Sequence, residues 1–184
     1  AAEAAADAGV AWSAPLLGAV LRVYSEDAAR AEAALARYRA EGRPLSARLA
    51  GALLLAYCNG GEHAKAAAAF DAFLACPELR GGELQLHNAM LRALVATGRH
   101  AEAEALFRER LPAAGLAPNS VSLMFMLLCL RDQGRHAEAL ALLERSAAGG
   151  LRPDRKTVTT GLNVCRRMGD WRRAEALFDR HCAA

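Results

Sequence analysis

An alanine followed four residues later by a large apolar side chain occurs five times along this chain. The pairs are Ala31 with Leu35, Ala66 with Phe70, Ala103 with Phe107, Ala139 with Leu143 and Ala174 with Phe178. Residues four apart lie on one face of a helix, so each pair predicts a buried helical stripe. A glycine stands five residues before four of the alanines, at Gly61, Gly98, Gly134 and Gly169; Glu26 takes its place in the first copy. Seven residues before each glycine comes a leucine: Leu54, Leu91, Leu127 and Leu162. The pattern predicts one helix before the glycine and another after it. Glycine suits the end of the first helix, where φ is often positive. Two second helices run into Gly115-Leu-Ala-Pro-Asn119 and Gly150-Leu-Arg-Pro-Asp154, where proline stops the helix.

The copies begin at Glu26, Gly61, Gly98, Gly134 and Gly169, which are 35, 37, 36 and 35 residues apart. Near-identity is visible in Gly98-Arg-His-Ala-Glu-Ala-Glu-Ala-Leu-Phe107, Gly134-Arg-His-Ala-Glu-Ala-Leu-Ala-Leu-Leu143 and Gly169-Asp-Trp-Arg-Arg-Ala-Glu-Ala-Leu-Phe178. Each unit is a helical hairpin with an apolar face on both sides. One hairpin cannot bury both, so neighbours must stack.

Composition agrees with an all-α fold. Hydrophobic residues make up 54% of 184 positions, aromatics only 5%, and 45 residues are alanine. Alanine is the best helix former and lets helices approach closely. This apolar content excludes disorder. The longest apolar runs, Leu49 to Cys58 and Leu123 to Leu130, fall short of the roughly 18 residues of a membrane span, so no membrane insertion is expected. Five cysteines, an odd number without a Cys-x-x-Cys, fit free thiols better than a disulfide framework.

The repeat resembles the pentatricopeptide repeat. The period near 35, the mid-unit glycine, the Ala-x-x-x-Phe of the second helix and the Gly-x-x-Pro-Asp/Asn ending carry the resemblance. Residues 84–154 match best, and His87-Asn88 is close to the family's Tyr-Asn. The units run near 12–46, 47–83, 84–119, 120–154 and 155–184, after an N-terminal extension at 1–11. No unit shows the Trp-x-x-Leu-Gly of the neighbouring tetratricopeptide repeat.

The resemblance implies a right-handed α-solenoid that binds single-stranded RNA in a mitochondrion or chloroplast, for RNA processing, stability or translation. It implies that the fifth residue of each first helix and the last residue of the unit contact one base. Those positions are Gly51, Asn88, Met124 and Thr159, with Asn119 and Asp154 as last residues; in the first unit the position is Leu16. Amides and hydroxyls can hydrogen-bond a base edge. Asn88 with Asn119 resembles a cytosine-preferring pair and Thr159 the purine-preferring type. Met124 with Asp154 departs from the usual pairs, and Gly51 and Leu16 offer no polar side chain.

Arg131, Arg166 and Arg167 lie late in first helices, where they could meet phosphates. The overall charge of +3 does not itself point to nucleic acid. It is uneven: residues 155–184 carry seven cations against three acids. With so few readers, an alternative is a scaffold subunit of a larger organellar assembly, such as a ribosome or membrane protein complex, contacting protein subunits.

No enzyme or cofactor is expected. His63, His100 and His136 recur at one repeat position, about 10 Å apart by ordinary helix spacing, which is too far to share a metal. His100-Ala-Glu102 and His136-Ala-Glu138 match the His-x-Glu of zinc deaminases but lack Pro-Cys-x-x-Cys. Trp12 and Trp171 read as packing residues.

Overall fold

Helix starts in this chain are set by side-chain caps. Ser13 accepts from Leu16 N at 3.3 Å, Asp27 from Arg30 N at 3.0 Å and Ser46 from Leu49 N at 3.4 Å. Each satisfies an amide that the first helical turn would leave without a partner. In the computed structural model, which describes residues 12–182, these caps open α1 (Ala14–Val23), α2 (Ala28–Ala40) and α3 (Ala47–Asn59). There follow α4 (His63–Ala75), a 3₁₀ turn at Pro77–Leu79, and α5 (Glu83–Ala96). Next come α6 (His100–Ala105), a π-helical turn at Leu106–Arg110 and α7 (Leu111–Ala113). The last are α8 (Ser120–Asp132), α9 (His136–Ala148), α10 (Arg155–Met168) and α11 (Trp171–Cys182). The described residues are all-helical, and the protein is an α-solenoid of helical hairpins. The extension expected at 1–11 lies outside the described residues.

The repeat glycine closes each first helix as expected. Gly61, Gly98, Gly134 and Gly169 have φ between 69° and 76°. The next amide in each case reaches back five residues: Glu62 N to Tyr57 O at 2.8 Å, Arg99 N to Leu94 O at 2.8 Å, Arg135 N to Leu130 O at 2.8 Å and Asp170 N to Cys165 O at 3.1 Å. This helix-closing pattern needs a left-handed residue, which only glycine adopts without strain.

Two compact units are present, one through Ala93 and one from Leu94, dividing within α5. In the first, α1 packs on α2 and α3, and α3 packs on α2 and α4. Leu17, Ala31, Leu54, Ala66 and Phe70 are fully buried. In the second, α8 packs on α6, α9 and α10, and α10 packs on α9 and α11. Its core joins Leu123, Leu127, Leu130, Ala139, Leu140, Leu143, Val164, Cys165 and Leu177.

Three positions of the buried stripe depart from the sequence pattern. Phe107 is only half-buried; Leu106 and Leu111 fill the core instead. The π turn that carries Phe107 lies just ahead of Pro112. A proline ring clashes with the carbonyl four residues back, and a widened turn relieves that clash. On α11, Ala174 is half-buried and Phe178 is 52% exposed. The expectation that Trp171 packs is also corrected: it is 66% exposed, whereas Trp12 is 8% exposed and does pack.

No helix among the described residues is long and apolar enough to cross a membrane. Cys58, Cys76, Cys129 and Cys165 form no disulfide.

Candidate nucleic-acid interface

The first helix of each hairpin keeps one edge in solvent. That edge recurs thirteen and six residues before the turn glycine, two positions seven apart and therefore on one helical face. It carries Arg48 and the half-buried Leu55 on α3, Gln85 and Arg92 on α5, Val121 and the half-buried Leu128 on α8, and Lys156 and Asn163 on α10.

Charge is sorted by helix type. The first helices of the first unit hold Arg22, Arg48 and Arg92 against Glu83. Those of the second hold Arg131, Arg155, Lys156, Arg166 and Arg167 against Asp132. Among the described residues, Arg48, Arg92, Lys156, Arg166 and Arg167 have no ion-pair partner. The second helices and their turns mix both signs and pair many of them, although Arg37, Arg145, Arg172 and Arg180 have no ion pair among the described residues. Arg30 meets Asp27 at 3.3 Å, Arg108 meets Glu104 at 3.2 Å, and Arg135 bridges Glu104 and Glu138. Unpaired cations are what a polyanion needs, because each phosphate bound releases a counterion.

The residues implied by the family resemblance sit in unequal settings. Asn88 on α5 is buried, 7% exposed, and belongs to the first unit. Gly51 on α3 is a packing residue: a Cβ there would lie 2.6 Å from the Cβ of Ala89. Met124 on α8 is half-buried. Thr159 on α10 is exposed, and its hydroxyl donates to the Arg155 carbonyl at 2.7 Å.

Asn119 and Asp154 cap the helices that follow them. Asn119 Oδ1 accepts from the amides of Val121 and Ser122, each at 3.0 Å, in a capping box with the Ser122 hydroxyl. Asp154 Oδ1 accepts from Thr157 N at 2.8 Å. The amide and hydroxyl of Thr157 hold the Asp154 carboxyl below the usual carboxylate range. Ser120 ties the two starts together. Its hydroxyl lies 2.8 Å from that of Thr157 and accepts from Asp154 N at 2.7 Å. This pins the beginnings of α8 and α10, and with them Met124 and Thr159, in one register.

Of the arginines singled out by the sequence, Arg166 and Arg167 are exposed without an ion pair. Arg131 is half-buried and bonded to Asp132 at 2.7 Å, so its charge is partly neutralised. Sequence reasoning passed over Arg48, Arg92 and Lys156. Sorting charge by position in the repeat, rather than by segment, would have found them.

The recurrent histidines are packing groups. His100 Nδ1 lies 3.5 Å from Cys129 Sγ, and burial pushes that thiol's pKa up. His63 Nδ1 and His136 Nδ1 are buried without a hydrogen bond. Among the described residues no group of three His, Cys, Asp or Glu could hold a metal ion.

Comparison with known proteins bears on this architecture. The family model for the pentatricopeptide repeat matches residues 86–109, the stretch from α5 across the Gly98 turn. The pentatricopeptide repeat protein PPR10, solved in complex with an 18-nucleotide psaJ RNA element, superposes on 95% of this chain with a TM-score of 0.74 at 15% identity. Residues 86–109 thus match a pentatricopeptide repeat, and the chain shares the fold of PPR10. PPR10 from maize in a separate crystal structure matches 94% of the chain at 26% identity, with a TM-score of 0.57. The array spans about a quarter of PPR10, 26% and 24% of its length in the two structures. No curated protein matches its sequence.

Proposed function

We propose that this pentatricopeptide array binds single-stranded RNA without catalysing a reaction, holding it chiefly through phosphates along the first helices. The balance of charge carries the reading: the first helices hold cations with few acids among them, whereas the second helices mix both signs. The RNA complex of PPR10 supports the same ligand class. In the second unit, Lys156, Arg166 and Arg167 supply the cations, and Thr159 offers an exposed hydroxyl at the fifth position of its first helix. Asn88 is buried, Gly51 packs on Ala89 and Met124 lacks an edge hydrogen bond, so discrimination between bases is weak. Asn119 and Asp154 act first as caps that fix the register of the first helices. An organellar setting, with a role in RNA processing, stability or translation, belongs to the same proposal and rests on the family resemblance.

Filter binding of pooled single-stranded RNA at low and high salt tests the reading. Binding at low salt that fades as salt rises supports it; no binding at low salt refutes it.

A further inference from the structure

The solvent edge of α8 is apolar where α3, α5 and α10 are cationic. Those three helices set Arg48, Arg92 and Lys156 on it. On α8 the edge is Val121, Met124, Phe125 and Leu128. Their spacing of i, i+3, i+4 and i+7 puts all four on one helical face. Val121 is 38% exposed and the other three are half-buried. The opposite side of α8 is already packed, with Leu123, Leu127 and Leu130 in the core of the second unit. Apolar side chains gathered on one open edge, rather than scattered, mark an interaction surface.

A cationic row runs beside this stripe. α10 packs on α8 and holds Arg155, Lys156, Arg166 and Arg167 with no acid. Lys156 stands at the repeat position of Val121, and Arg167 shares its face about three turns on. Ser120 pins the starts of the two helices, 2.8 Å from the Thr157 hydroxyl and 2.7 Å from the Asp154 amide. Asp132, the acid at the end of α8, is bonded to Arg131. Packed helices lie about 8–10 Å apart, and a helix with its side chains is about 10–12 Å across. One helix laid along α8 and α10 therefore meets the apolar stripe with one side and the cations with the other.

We propose that α8 and α10 together dock an amphipathic helix of another protein, apolar on one face and flanked by Asp or Glu. Its apolar side chains cover Met124 and Leu128, and the unbranched methionine adapts to their shape. Its carboxylates pair with Lys156 and Arg167, which fixes its orientation. The stripe suits a protein better than RNA, because it offers nothing to a phosphate and only Phe125 has a ring on which a base stacks. The cations are shared with the RNA reading, so the helix and RNA compete for them; the stripe does not depend on that reading.

The probe is a fluorescein-labelled peptide of about 18 residues, with leucine along one helical face and glutamate beside it. Its affinity for the chain is read by fluorescence anisotropy. The expected result is saturable binding that weakens about tenfold in Val121→Ser/Leu128→Ser and in Lys156→Glu/Arg167→Glu. A companion peptide with lysine in place of glutamate should bind the chain poorly and bind Lys156→Glu/Arg167→Glu better. Circular dichroism checks that each variant is folded, and Val121→Ser alone, at an exposed position, replaces a double variant that is not. A glutamate peptide that does not bind, that binds no better than its lysine companion, or that binds the serine variant unchanged overturns the proposal. RNA affinity that falls in the serine variant without peptide binding assigns the stripe to bases, and self-association lost in that variant assigns it to a second copy; either result overturns the proposal. The peptide titration contains no RNA, so its failure is distinct from failure of the RNA reading.

Discussion

Replacing Gly51 with alanine sets two effects against each other. Alanine is favoured over glycine inside a helix by about 1 kcal/mol. Gly51 lies mid-helix in α3, where the new Cβ would stand 2.6 Å from the Cβ of Ala89 on α5. That is about 1 Å short of ordinary carbon–carbon contact. Both atoms are fixed to their backbones, so relief requires the helices to part. Overpacking of this kind costs about 1–3 kcal/mol, and the rigid contact places Gly51→Ala in the upper half of that range. The net loss is about 1–2 kcal/mol, or a midpoint lower by about 2–8 °C for a chain of this size. Thermal melts followed by circular dichroism measure it. Gly161→Ala is the contrast: its Cβ would meet Leu143 Cδ2 at 2.7 Å and Leu177 Cδ2 at 2.9 Å, both ends of side chains that can turn aside. Its cost should be well below that of Gly51→Ala. The double variant Gly51→Ala with Ala89→Gly should return close to the original midpoint, because the methyl has only changed sides. A higher midpoint for Gly51→Ala alone, or no recovery in the double variant, would refute the close-approach argument.

Phe70→Ala removes a fully buried ring from the first unit and should cost about 3–5 kcal/mol in a denaturant titration. Asn119→Ala removes the cap of α8 and should cost about 1 kcal/mol; Asn119→Asp, which retains the acceptor oxygen, should recover most of it. Glu104 gives an acid-sensitive seam. Burial raises its pKa, but the bonds from Gln133 and Arg135 outweigh that and leave it lowered. A carboxylate with a lowered folded pKa adds stability above its unfolded value, near 4.3 for glutamate. That stability is lost as pH falls through the lower folded value. Stability measured from pH 6 to 3 should therefore fall less steeply in Glu104→Gln, and an unchanged slope would count against the seam.

The helices were legible in the sequence because one signal repeats. Gly61, Gly98, Gly134 and Gly169 mark turns by backbone necessity, and Ala66, Ala103 and Ala139 mark seams by size. Phe107 was misread because helical spacing assumes a regular α-helix, and the π turn before Pro112 breaks it. Trp171 and Phe178 were misread because an apolar residue in a seam pattern says that it can pack, not that its partner is present. The interface was less legible. Asn119 and Asp154 look like base readers from their place in the unit, yet their oxygens already serve amides, and only coordinates show which acceptors are engaged. The unpaired state of Arg48, Arg92 and Lys156 likewise depends on which acids the fold brings near them.

The salt dependence of RNA binding tests the central claim most directly. Affinity for a pooled single-stranded RNA is measured from low to high salt for the chain and for Lys156→Gln/Arg166→Gln/Arg167→Gln. Single strands lose affinity with a log–log slope of about 0.7 per phosphate contact. A linear salt dependence whose slope falls by about 2 in the triple variant is the predicted result. Binding that is absent at low salt, or whose slope is unchanged by the triple substitution, would contradict the account.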